Sequence, residues 1–596
     1  MKRPFIIGTL IVAATTLAAL LAAGRLGRAA DAAAPSAFLA SLDLAPLGNL
    51  AVHHDGRLKS LDSHARAMMD FLTGPRKFQG QSPTVTFLDL MLRPEAYERA
   101  AVIYIKNKLV RKRLAQTLLN SMQEDLARMR AGADAAGLQS LSALEAEFNE
   151  QMAAFMKSGL ASEPMLLDPQ AQQALAHLSQ DLLKGTSKDV DRIEGALTLK
   201  RPAVLRGTLA LVPPPGGGFA DPWLTIDEVG SAAVDHRDLG LPAGAQADIA
   251  RHWAEFETEW KRQDAAGVNA AVAALAPLVA SVNPALYPPP ARLEWENWYF
   301  KAGHLTWVWM IYLLAIALLL MAVVYRWPGA RLAGISLFAV ALGLHTFAVM
   351  LRWYVAGRWP NSNMFEAVTT AAWFAACAAV VLEVVVRRTP MRNLFLLGSA
   401  AAAMIALMCA HFLPVYLNPN ISNMMPVLHD VWLYIHTNII IFSYLLIFIA
   451  AVLGAMYLLL RLFGGPKDYA RVGGAGSLIL AGADGASYLQ EGRSSFAQVL
   501  DGATMVLMEL SFVLLWSGVV MGAIWADHSW GRPWGWDPKE VFALNTFIIF
   551  VLLVHTRLKV KDKGLWTAIL AVVGCVVMLF NWIIINFTIS GLHSYA

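Results

Sequence analysis

Cysteine is almost absent from this chain. Of 596 residues only Cys377, Cys409 and Cys575 carry a thiol, and all three lie inside apolar runs. The first 300 residues have none, which excludes a disulfide framework, a CxxC redox pair and a thiolate metal site there. Any thiol chemistry must therefore use cysteines from a partner. Charge is scarce too, at 15% of residues against 57% hydrophobic. That balance lies outside the soluble range and inside the membrane class. The net charge of +4 is small for this length. No basic patch interleaved with aromatics appears, so nucleic acid is not an expected partner.

What the sequence has in abundance is long apolar runs, unevenly spread. Residues 1–26 join a basic "MKR" to an apolar run from Pro4 to Ala23. The run is long for a signal-peptide core, so it reads as a retained membrane anchor, with a cleaved signal peptide as the alternative. Residues 27–300 place apolar residues at three- and four-residue intervals between charged ones, which predicts a mostly α-helical domain after the first span. His53 and His54, adjacent in "HHDGRLKSLDSHAR", read there as solvated turn residues. From residue 301 onward eight further spans are predicted, at about 304–325, 332–351, 364–386, 394–413, 432–460, 501–526, 541–557 and 564–587. The expected fold is an α-helical polytopic membrane protein of about nine transmembrane helices. The basic segments "YRWPGAR", "RRTPMR" and "TRLKVKDK" fall on the same side as "MKR", which makes that side cytoplasmic. The domain 27–300, the loop "WADHSWGRPWGWDPKE" at 525–540 and the terminal "GLHSYA" then lie on the periplasmic side.

Ionisable residues within spans are costly and mark functional candidates. His436 and His593 fall at the outer ends of their spans, on either side of the tryptophan loop, whereas His345 and His555 lie deeper. One such histidine alone is as well explained by a helix-packing hydrogen bond. A pair flanking an aromatic loop is what haem requires, because neutral imidazoles bind iron axially and flat apolar rings cover the macrocycle. Zinc would need three or four converging ligands. A proton relay would need carboxylates within the spans, and Glu383 and Glu509 are thinly placed for that. Tryptophans also anchor membrane interfaces, but Trp530, Trp534 and Trp536 share their loop with Gly531, Pro533, Gly535 and Pro538, which dictate a tight path. Asp537 before Pro538 reads as the cap of the next helix, with Glu540 in its first turn.

"WGRPWGWDPKE" resembles the tryptophan-rich WWD signature of haem-handling proteins. "LRWYVAGRWPNSNMFEAV", "PVLHDVWLYIHTNIIIFSY" and "NFTISGLHSYA" narrow the resemblance to the CcsA (ResC) component of the System II cytochrome c synthases. More weakly, "DGRLKSLDSHA" makes residues 27–300 resemble the CcsB (ResB) partner as fused in some bacteria. The resemblance implies a protein of the bacterial inner membrane that carries haem b outward, holds it on the WWD loop and joins it by thioether bonds to the CxxCH cysteines of apocytochrome c. It implies His436 and His593 as outer axial ligands, Trp530, Trp534, Trp536 and Asp537 as the haem platform, and His555 as the ligand of an inner site. The family's partner for that inner ligand sits in a CcsB span. The only N-terminal span here has no histidine, so His345 is taken as its substitute. Membrane lipid and thiol-reducing proteins are the further partners. The rival reading is a haem transporter or chaperone that delivers haem without forming the bond.

Overall fold

The computed structural model describes residues 37–585 apart from 76, 131–134, 181–185, 217, 219–220, 424–429 and 471–494. The expected anchor at 1–26 and His593 lie outside the described residues. The chain divides into two compact units, residues 1–297 and 298–596.

In the first unit, Asp55 and Gly56 stand at φ 52° and 68° and close a hairpin between β1 (Ala51–His54) and β2 (Arg57–Ser60). An Asp-Gly pair suits this turn because both positions need left-handed backbone. His53 and His54 are thus strand residues, not turn residues. Ser60 caps α1 (Leu61–Leu72) by accepting the Ser63 N–H. The main helices that follow are α2 (Pro83–Leu92), α3 (Lys108–Arg130), α4 (Ala135–Ser158), α5 (Ala245–Arg262) and α6 (Ala265–Ser281). Two more antiparallel ribbons pair β3 (Ala101–Tyr104) with β4 (Leu160–Ser162) and β5 (Ala210–Val212) with β6 (Leu224–Thr225). Phe87, Phe256 and Trp260 are among the largest buried side chains of the core. Asp89 sits beside them and accepts from Trp260 Nε1–H at 2.9 Å and from the Tyr97 hydroxyl at 2.8 Å, so its carboxylate is buried with partners.

The second unit supplies eight helices long and apolar enough to cross a membrane, so the described chain is a polytopic α-helical membrane protein. A 3₁₀ turn (Gly303–Val308) leads into α7 (Trp309–Tyr325). Then come α8 (Pro328–Ala356), α9 (Met364–Val386), α10 (Leu394–Phe412), α11 (Val431–Leu462), α12 (Phe496–Trp530), α13 (Pro538–Lys559) and α14 (Lys563–Leu579), which ends in a π-turn at Phe580–Ile585. The pairs α7–α8, α7–α10, α9–α10, α11–α12, α11–α14 and α13–α14 make the main packing seams. Along α11–α12 the backbones approach closely because α12 presents Gly518 and Gly522 one turn apart. A Cβ at Gly518 would lie 2.5 Å from Ile440, and one at Gly522 would lie 2.7 Å from the His436 ring.

At the end of the unit that holds the C-termini of α11 and α13, ion pairs replace small residues as the fastening. Arg461 binds Asp562 through two bonds of 2.7 Å, and Arg557 binds Asp501 at 2.7 and 2.8 Å. Asp501 also accepts the Ala470 N–H at 2.7 Å, while Arg557 donates to the Ala470 carbonyl at 3.0 Å. Fork-shaped guanidinium groups thereby tie four helices and a connecting segment together.

Candidate functional site

The tryptophan segment is shorter as a loop than the sequence suggests. Residues 525–530 continue α12, and only Gly531–Asp537 are non-helical. Gly531 ends α12 in the left-handed region at φ 68°, as a glycine after a helix commonly does. Asp537 caps α13 in a reciprocal box: its carboxylate accepts the Lys539 N–H at 3.3 Å, and Glu540 accepts the Asp537 N–H at 3.1 Å. Glu540 also accepts the Gly535 N–H at 2.8 Å, which folds the loop back on the helix start. The cap expected at Asp537, Pro538 and Glu540 is therefore present.

Between this loop and helices α11, α12 and α13 lies a cavity of about 260 Å3, close to the lower bound for ligand sites. Trp525, Trp534 and Trp582 give it aromatic surface, and His436 enters from α11. The expected platform is divided. Trp534 lines the cavity, but Trp530 packs edge-on against Trp525 at 4.8 Å, and Trp536 stands 73% exposed with φ 56°. A bulky residue at positive φ stores backbone strain, and such strain collects at functional sites.

The His436 ring is held in one tautomer. Its Nδ1 lies 2.7 Å from the Gly518 carbonyl, which only accepts, so Nδ1 carries the proton and Nε2 is the basic nitrogen. That second-shell bond is the one that orients metal-binding imidazoles. Gly522 makes the room the ring occupies. The sequence reading missed both glycines, along with Trp525, Tyr444, Trp582 and Lys539 of the cavity wall.

The opposite wall, Asn361 and Ser362, is positioned by charge. Glu366 at the start of α9 is fully buried and receives Arg352 Nε at 2.9 Å, Arg358 Nη1 at 2.9 Å and the Ser362 N–H at 2.8 Å. Both arginines donate onward to the next loop on that side, Arg352 to the Pro419 carbonyl at 2.9 Å and Arg358 to that of Ser422 at 3.0 Å. Trp359 Nε1 reaches Asn438 at 3.1 Å, two residues beyond His436. One carboxylate therefore fixes two loops against the histidine helix.

His345 and His555 are not brought together. His345 is buried on α8, its Nε2–H donating to the Thr369 carbonyl at 3.1 Å and its Nδ1 facing the Tyr312 hydroxyl at 3.4 Å. The cavity beside it holds about 10 Å3, no room for a macrocycle. Both nitrogens of His345 thus have partners, the arrangement of a helix-packing histidine. His555 lies on α13, which packs on α14 and α12 whereas α8 packs chiefly on α7. The His555 ring is exposed, with Nδ1–H donating to the Val551 carbonyl at 2.8 Å, which leaves Nε2 the basic nitrogen. His528 lies 4.0 Å from Asp430 and is not among the residues that line the cavity.

Residues 361–593 match the family described as Cytochrome C assembly protein. The cytochrome c biogenesis protein CcsA of Parasynechococcus marenigrum is 33% identical over 265 residues, 44% of this chain and 85% of that protein. The CcsA proteins of Pyropia yezoensis and Chlamydomonas reinhardtii are 29% and 30% identical, over 47% and 44% of this chain and 93% and 70% of theirs. A cavity lined by Trp534 of the tryptophan loop, a tautomer-fixed histidine and this coverage converge on one assignment: the chain belongs to the CcsA family of cytochrome c biogenesis proteins.

Proposed function

We propose that the cavity beside the WWD loop holds haem b on the periplasmic face of a bacterial inner membrane, where the protein joins it covalently to apocytochrome c. The role in cytochrome c biogenesis implies haem handling, with haem and apocytochrome c as partners. One observation carries the finer reading: His436 lines an aromatic cavity, and the Gly518 carbonyl takes its Nδ1–H and so fixes its tautomer. A neutral imidazole so held is an axial iron ligand in waiting. The residues fit haem as a substrate, since the walls are mostly apolar and aromatic with a few polar groups. His593 is proposed as the second axial ligand and His555 as a ligand earlier on the route. Residues 1–26 are proposed as a membrane anchor and 27–300 as a CcsB-type partner domain on the outer side, with thiol-reducing proteins keeping the peptide's cysteines free.

In this scheme the protein supplies positioning and no nucleophile. The S–H of each CxxCH cysteine adds across a vinyl C=C of the substrate, sulfur to one carbon and hydrogen to the other, so nothing leaves and no electrons are exchanged. Holding the two groups side by side turns a bimolecular addition into an effectively intramolecular one. The absence of cysteine from residues 1–300 removes competing thiols.

Purified protein should show bis-imidazole haem absorption that is lost in His436→Gly and His593→Gly. Bands indifferent to both changes would remove the site. Co-expression with apocytochrome c then separates synthase from transporter, because only a covalent bond keeps haem on the peptide under denaturing conditions.

A further inference from the structure

We propose that a second cavity in the membrane-spanning unit, one that shares Tyr444 and Trp582 with the first, is a binding site for one acyl chain of a phospholipid. It measures about 360 Å3, against about 260 Å3 beside the WWD loop, and its lining comes from α9, α10, α11, α14 and the π-turn that ends α14. Among the described residues that line it, no side chain carries a charge, an imidazole or an amide. The polar side-chain atoms are two tyrosine hydroxyls, an indole nitrogen and a thiol, and the Tyr444 hydroxyl already accepts the Asn581 amide N–H at 3.1 Å. Such a space offers no imidazole to iron and no cation to a carboxylate, so a polar headgroup would go unpaired in it. Water is an equally poor occupant, since cavities of this kind stay dry and take up apolar molecules. Hydrocarbon fits.

The position of the opening says where the hydrocarbon comes from. All four helices are long and apolar enough to cross a membrane. Ile405 on α10 and Ile583 and Ile584 in the π-turn line the cavity yet are 37%, 45% and 41% exposed, so it opens on the outer face of the spans. In a bilayer that apolar face meets lipid tails. Met364 begins α9 and Leu413 follows α10, so the cavity also reaches the ends of two spans. A headgroup can therefore stay at the membrane surface while its chain lies inside. Tyr444 and Trp582 meet edge-on with their ring centroids 5.8 Å apart and line both cavities, so a chain in the second one backs the wall of the first. This holds whatever ligand the first cavity takes.

The test uses the full-length protein in bilayers containing a phosphatidylethanolamine whose second acyl chain ends in a diazirine. After irradiation the adducts are mapped by mass spectrometry, before and after exchange into detergent. Val368, Ala406 and Phe448 line the cavity from three helices and are expected to keep their adducts through the exchange, whereas Val381, exposed on α9, should lose them. Ala406→Trp fills the cavity and should abolish its adducts while leaving those at Val381 in the bilayer. Ala406→Leu, a smaller filling, should reduce them and serves if the Trp variant does not fold. Cavity adducts that wash out as readily as those at Val381, or that persist unchanged in the filled variants, overturn the site. Adducts displaced by added haem would give the space to the macrocycle and overturn it as well.

Discussion

Two helix seams in the second unit each hold a histidine inside apolar sequence, and they have opposite outcomes. At the α11–α12 seam His436 faces Gly522, has one nitrogen on a backbone carbonyl and borders a cavity of about 260 Å3. At the α7–α8–α9 seam His345 has both nitrogens taken, by Thr369 and Tyr312, and borders about 10 Å3. Burial in a span marks an ionisable residue as costly. Whether it is a ligand or a rivet depends on what faces it. At one seam a glycine admits the imidazole at the edge of a cavity, and at the other a tyrosine hydroxyl sits against the imidazole where almost no space is left.

The comparison breaks most violently if the wall opposite His436 is released. Replacing Glu366 with Ala strands Arg352, 2% exposed, and Arg358, 11% exposed, beside an apolar helix start. Removing one partner of a buried ion pair costs about 3–5 kcal/mol. Glu366→Ala should therefore lower the thermal midpoint in detergent more than any single change at the His345 seam. A midpoint shift no larger than that of His345→Leu would show that the cluster does not organise the loops.

Gly522→Val tests the facing glycine directly. Already the first added carbon would meet the His436 ring at 2.7 Å. The ring must leave the Gly518 carbonyl or the seam must open. Haem affinity should fall by a factor of ten or more, about 1.4 kcal/mol or above. Equal haem absorption per protein in the variant and the wild type would mean that His436 does not act from this position.

His345→Leu is the reciprocal change. It leaves the Thr369 carbonyl and the Tyr312 hydroxyl short of a partner in the core, a cost of about 1–3 kcal/mol. The expected signature is a lower thermal midpoint with unchanged haem bands. Haem lost in step with this substitution would return His345 to the ligand set.

These contrasts explain which features could be seen in the sequence. The eight apolar runs gave away the helices of the second unit, because hydropathy reports length directly, and Asp537-Pro538 announced a cap in the sequence itself. The extent of α12 was hidden because "WADHSW" is polar and aromatic enough to end a hydropathy run, yet it contains no residue that stops a helix before Gly531. Gly518 and Gly522 look like ordinary small residues until the ring and the isoleucine across the seam are known. Glu366 went unweighed beside Glu383 and Glu509 because its importance lies in arginines 14 and 8 residues away that only the fold collects. How much room a histidine's neighbours leave beside it is a tertiary fact, and for this reason His345 and His436 read alike in the sequence.

A fully buried histidine, His64 in the first unit, sharpens the rule outside the eight candidate membrane-spanning helices. Its Nε2 lies 3.0 Å from the Thr208 hydroxyl, which itself donates to the Leu205 carbonyl at 2.7 Å, so Nε2–H is the donor. Nδ1 has no hydrogen-bond partner among the described residues. Burial, with the nearby Lys59 and His54 adding positive charge, holds its pKa well below 6.5. The folded form is therefore neutral, while the unfolded chain takes up a proton as pH falls through about 6.5. Between the depressed value and about 6.5, stability rises with pH and is lost on acidification, by up to about 1.4 kcal/mol per pH unit for the single proton. His54 is lowered by burial as well and adds to the same slope. His64→Gln retains a donor toward Thr208 and cannot take up the proton. Hydrogen exchange in α1, corrected for intrinsic rates, should accelerate between pH 7.5 and 5.5 in the wild type by more than in the variant. Equal acceleration in both would mean that His64 is protonated within the fold, and that an unpartnered nitrogen in a buried histidine is no guide to its charge.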